Sequence, residues 1–127
     1  MGHRCRFVQP EIVRLYLAPQ EGEADYIDVK KELTAGEQRH IFSGIVKEMN
    51  LGEKTTLDPD QVGKTKLVEY IVGWSFLGID GQPEPVSESA MDCLDPDTYK
   101  ELIDLVDAHE AKTAEARRQK KALIETT

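Results

Sequence analysis

Gly63-Lys64-Thr65 has the ending of a phosphate-binding loop, in which backbone amides and a lysine cradle the phosphates of a nucleotide. The full pattern needs a glycine five residues earlier. Asp58 stands there instead, a carboxylate that repels phosphate, and no strand is expected before it. These residues therefore read as helix surface. His3, His40 and His109 are scattered, and none has the i, i+4 partner that a helical zinc site uses; Cys5 and Cys93 stand outside any ligand motif. Ser43, Ser75, Ser87 and Ser89 are not set in a nucleophile elbow. Asp104 and Asp107 are close in sequence, but without an apolar cleft to shift proton affinity they read as surface charges of a helix. The residues predict no catalytic set, no metal and no cofactor, hence a chain that is not an enzyme.

Contact chemistry is better represented. The segment Trp74-Ser75-Phe76-Leu77-Gly78-Ile79-Asp80-Gly81-Gln82-Pro83-Glu84-Pro85 joins the only tryptophan to an Asp-Gly turn and a Pro-x-Pro stretch. A tryptophan in contact with a partner removes a large area from water at one position. Charge is polarised along the chain as well. From Asp80 to Glu110 there are ten acidic residues and one lysine, whereas Lys112 to Lys121 holds five basic residues and one glutamate. A net charge of −8 opposes binding to nucleic acid, whose phosphates need a positive surface. The sequence has no apolar run of about 18 residues, so no membrane span is expected. The N-terminal residues lack an apolar stretch of signal-peptide length, and the two cysteines read as reduced thiols of a cytoplasmic protein.

The elements that must position these residues follow from periodicity and punctuation. At 127 residues the chain suits one domain, expected over 1–110 with 111–127 as a helical extension or flexible tail. A β-hairpin is expected over 12–31. Val13, Leu15 and Leu17 share one face of its first strand, opposite Ile12, Arg14 and Tyr16, and Ile27 and Val29 face inward from its second. A two-stranded hairpin is marginal by itself and must pack on helices. Helices are expected at about 34–49, 58–77, 87–94 and 96–110. Their starts are marked by Thr34 with Glu37 as a capping box, by Asp58-Pro59, by Ser87, and by Asp95-Pro96. Asn50 to Gly52 should stop the first of them. The second is apolar over more than one face through Leu67, Tyr70, Ile71, Trp74 and Phe76, and so should be central or should offer a face to a partner. The last carries the stripe Tyr99, Leu102, Ile103, Val106 and His109. The fold class is thus α+β, mainly α: an N-terminal hairpin on a small bundle of about four helices, ending in a long C-terminal helix.

The order of Trp74, the Asp80-Gly81 turn and the Pro83-x-Pro85 segment before a short acidic helix resembles the tail assembly chaperones of long-tailed, siphophage-type bacteriophages, over roughly residues 26–110. In that family a helix ends in tryptophan, and a turn and P-x-P segment lead into a short helix. The resemblance implies a protein of the host cytoplasm that binds the tape measure protein, keeps it soluble and helps recruit tail tube subunits. It places the contact residues at Trp74, Phe76, Asp80, Gly81, Pro83 and Pro85, with protein partners and no nucleic acid or membrane. A homo-oligomer is left open. Two other readings stand beside it: a phage virion structural or connector protein that forms rings, and an acidic regulator that mimics nucleic acid.

Overall fold

A computed structural model of the chain describes residues 6–19, 22–49 and 59–125. Strands β1 (Ile12–Tyr16) and β2 (Tyr26–Lys30) are followed by helices α1 (Ala35–Met49) and α2 (Pro59–Tyr70). Strand β3 (Ile71–Trp74), the short helix α3 (Glu88–Asp92) and the long helix α4 (Pro96–Glu125) complete the order. The class is α+β and mainly helical, as the periodicity indicates.

The first two strands pair antiparallel with Val13 opposite Val29 and Leu15 opposite Ile27. The alternation expected for each strand is present: Ile27 and Val29 are fully buried, and Ile12, Arg14 and Tyr16 lie on the outer face. On that outer face the Arg14 guanidinium grips the Asp28 carboxylate with two hydrogen bonds, of 2.8 and 3.2 Å, and lies 3.7 Å over the Tyr26 ring.

The hairpin is not the whole sheet. β3 pairs antiparallel with β2 and makes the sheet order β1-β2-β3, which corrects the expectation of one helix over 58–77. The reason is local chemistry. Ile71, Val72 and Trp74 are β-branched or aromatic and suit a pleated surface, and Gly73 weakens a helix by about 1 kcal/mol relative to alanine. The ladder also has a bulge. Gly73 faces Asp28 and Ile71 faces Val29, which leaves Val72 as the extra residue on β3. Ile71 and Trp74 are three positions apart, so a regular strand would send them to opposite faces. The bulge turns both toward the core side, where Ile71 is buried and Trp74 half-buried.

The helix starts are those marked in the sequence. The Thr34 amide donates to the Glu37 carboxylate at 2.9 Å and the Glu37 amide donates to the Thr34 hydroxyl at 3.1 Å, a complete capping box. The Ser87 hydroxyl accepts from the Ala90 amide, and the Asp95 carboxylate accepts from the amide and hydroxyl of Thr98. The Asp58 cap and the Asn50–Gly52 stop lie outside the described residues.

α4 runs unbroken to Glu125, a helix of 30 residues and about 45 Å, so residues 111–125 form the helical extension rather than a flexible tail. Its stripe is the one the spacing marks: Leu102, Val106 and His109 are buried, with Tyr99 and Ile103 packed beside them. Together with Ile27, Val29, Leu67, Ile71 and Met91 they form the core between sheet and helices. Burial of each such aliphatic side chain contributes about 1.5–3 kcal/mol.

Candidate functional site

Trp74 stands on β3 opposite Ile27, and this corrects the pattern on which the resemblance leaned: a strand, not a helix, leads into the tryptophan. Its indole ring packs on Phe76 with ring centres 5.0 Å apart, and its Nε1–H donates to the Glu84 carbonyl at 2.6 Å. The chain therefore turns back on itself within ten residues. The Glu84 amide donates to the Phe76 carbonyl at 3.1 Å, Leu77 and Pro83 form an antiparallel bridge, and the Gly78 amide donates to the Gln82 carbonyl at 2.8 Å. The segment is a miniature hairpin grown out of the end of β3.

Its tip is built from Asp80 and Gly81. The Gly81 amide donates to the Gly78 carbonyl at 2.9 Å, and Gly81 has a φ of +78°, in the left-handed region that glycine adopts without a Cβ penalty. A three-residue hairpin loop that closes with a glycine in this conformation is a common β connection. The Asp80 carboxylate accepts from the Gln82 amide at 3.0 Å, so its charge is used to hold the turn. A Cβ on Gly78 would lie 2.7 Å from a Glu84 carboxylate oxygen, so the Glu84 side chain would have to swing aside to admit one.

Pro83 and Pro85 bracket Glu84, the residue whose amide and carbonyl both bond inward to Phe76 and Trp74. The prolines thus occupy alternate positions where no N–H is needed, and the outer edge of the hairpin carries no donor at either. Prolines so placed keep a further strand from adding to an edge. All six residues marked in the sequence are brought into one unit. Two that the sequence reading passed over complete it: Leu77 is 63 % exposed and Ile79, at the tip, is fully exposed. Alternation with Phe76 is the only sequence signal for Leu77, and Ile79 is apolar beside Asp-Gly, where turns are usually polar.

The residues considered for chemistry have structural employment. Gly63 lies where α2 crosses α4; a Cβ there would fall 2.4 Å from the Ile103 Cδ1 atom. Lys64 pairs with Glu88 at 3.1 Å and Asp92 at 2.9 Å, tying α2 to α3. His40 Nδ1 is 2.8 Å from Glu69, and His109 Nε2 sits 3.1 and 3.0 Å from the carbonyls of Lys30 and Lys31, for which it must carry a proton as donor. Cys93 is an exposed free thiol at the end of α3, and His3 and Cys5 lie outside the described residues. Among the described residues no three of His, Cys, Asp and Glu group as ligands of a metal ion would. None of the described helices is long and apolar enough to cross a membrane. What the hairpin can do chemically is present an apolar tip on a rigid stalk. Compared with protein-family models, curated proteins and solved structures, the chain matches none.

Proposed function

We propose that this chain is a protein-binding assembly factor of the phage tail assembly chaperone kind, which takes its client through the Trp74–Pro85 hairpin. The observation that carries the reading is the hairpin itself. Two large aliphatic side chains, Leu77 and Ile79, are held in water on a stalk fixed by the Trp74–Glu84 hydrogen bond. Exposing Leu77 and Ile79 gains the fold nothing in stability, whereas a partner that covers them gains their transfer from water. The edge that carries Pro83 and Pro85 lacks donors and disfavours strand addition there, which leaves side-chain contact as the mode for a partner on that side. The acidic stretch from Asp80 onward keeps such a surface from sticking to copies of itself through that tip. With the strand into Trp74 replacing a helix, the resemblance rests on the Asp80-Gly81 turn and the Pro83 and Pro85 pair.

The client in this reading is the tape measure protein, long, helical and prone to aggregate when its apolar faces are uncovered, with tail tube subunits recruited around it. Co-expression with the long helical protein encoded beside this chain tests it. The expected result is that the large protein stays in solution and co-elutes with this chain, and that purified virions lack the chain. An insoluble, unbound large protein, with this chain present in purified particles, would overturn the reading in favour of a structural ring or connector protein.

A further inference from the structure

The two ends of α4 lie in surroundings of opposite charge. At its start, Leu17, Phe76, Leu77 and Leu94 line a groove that also carries the carboxylates of Glu23, Asp25, Asp95 and Glu101, with no Lys, Arg or His among its lining residues. Three of the four acids are fixed in place by neutral donors: Asp25 by the Ser75 hydroxyl at 2.9 Å, Asp95 by the Thr98 amide at 2.8 Å, and Glu101 by the Ala18 amide at 2.7 Å. Neutral donors orient a carboxylate without cancelling its charge, so the groove is a preorganised acidic cleft with an apolar floor.

At the other end, Arg117 and Lys120 of α4 gather with Arg6 and Lys31 around a second groove, against Glu11 and Glu32. Lys31 is paired with Glu11 at 3.1 Å, and among the described residues neither Arg117 nor Lys120 forms an ion pair. From Glu115 to Ala122 every residue of α4 is exposed, so this part of the helix is largely polar and adds no buried side chain to the core. A stable helix of that kind bridges to something else or stands in solvent.

Thr98 and Arg117 are nineteen positions apart on one helix, about 28 Å at 1.5 Å per residue. β1 confirms the polarity, since Glu11 at its start borders the basic end and Leu17 at its close borders the acidic one. A rigid helix therefore keeps the basic end from reaching the acidic groove of its own molecule. The complement has to come from another molecule.

We propose that copies of this chain associate head to tail, the basic stretch Arg117–Lys121 of α4 from one copy lying in the acidic groove between Glu23 and Glu101 of the next. Charge complementarity carries the choice of occupant: between Glu115 and Lys121 the helix has four cations and one carboxylate, and the groove has four carboxylates and no cation. The contact is heterologous, so it propagates into a ring or an open filament rather than closing as a twofold dimer. Docking of this sort leaves Ile79 at the hairpin tip free, while Leu77 is shared between this groove and the client surface.

Sedimentation velocity on the full chain over a wide concentration range tests it, at about 0.1 M and about 1 M salt, where charges are screened beyond roughly 10 and 3 Å. The expected result is concentration-dependent species larger than a dimer at the lower salt, shifting toward monomer at the higher. R117E/K120E removes the basic face, and Glu23→Lys spoils the groove at a carboxylate that fixes no other element. With exposed pairs worth a fraction of a kcal/mol each, the double variant should weaken association by about tenfold or more. A mixture of the two variants should form dimers and nothing larger, because one brings an intact groove, the other an intact tail, and the remaining faces are both spoiled. A wild-type chain that stays monomeric throughout, variants that associate as the wild type does, or a mixture that forms no dimer would each overturn the proposal.

Discussion

Lys64 shows how a residue that looks chemical can be structural. Its ammonium sits between the Glu88 and Asp92 carboxylates and is thereby held more basic than an ordinary lysine, so it is committed to joining α2 and α3. Gly63 beside it permits the close crossing on Ile103, and Gly63→Val should lower stability by about 1–3 kcal/mol in urea titrations through overpacking. A second residue-scale prediction concerns pH. The Lys30 ammonium, and after it the Thr34 amide, hold the Glu37 carboxyl below its ordinary range, and Thr98 does the same for Asp95 through its hydroxyl and amide. Both acids are less readily protonated in the folded chain than in the unfolded one. Their contribution is complete above the ordinary carboxylate value of about 4 and is lost as pH falls through their folded values. Denaturation midpoints should therefore drop below about pH 4, and less steeply in Glu37→Gln. Tyr70 behaves in the opposite sense. Burial, and then the nearby Glu110 charge, push its phenol up to about 12, so the stability it supports is present below about pH 10 and lost as pH rises toward 12. Alkaline unfolding should shift upward in Tyr70→Phe.

At the scale of elements, the caps were legible because a cap is a local contract between a side chain and amides two or three residues away; Thr34, Ser87 and Asp95 each fulfil it. β3 was not legible. Leu67, Tyr70, Ile71 and Trp74 satisfy helical spacing, and nothing local says that the last two satisfy a bulged strand equally well. Only pairing with β2 decides it, and that partner lies more than forty residues upstream. Helix and flexible tail both stood open beyond 110, because the apolar stripe fades near Ala114; Ala, Glu, Lys, Arg and Gln are good helix formers and carry α4 on without a core. The turn of the candidate site was legible in Asp80-Gly81 and the paired prolines, whereas the exposure of Leu77 and Ile79 depends on how the hairpin stands off the sheet. Gly81→Ala, forced into the left-handed region, should cost the hairpin about 1–2 kcal/mol. The check is near-ultraviolet circular dichroism, where the Trp74–Phe76 signal should melt at lower temperature than in the wild type.

At the scale of the molecule, one body carries two unlike surfaces. An apolar tip grows from the end of the sheet, and a basic helix extends about 28 Å from an acidic groove at the other end of α4. In the proposed reading, both have features that a partner protein would complete. Leu77 and Ile79 are the proposed client contacts. Co-purification of the co-expressed client with the wild-type chain and with the double variant Leu77→Asp/Ile79→Asp tests them. Both side chains are exposed, so the variant should keep the wild-type near-ultraviolet spectrum while losing the client. A variant that folds as the wild type does and still brings down the client in full would contradict this assignment.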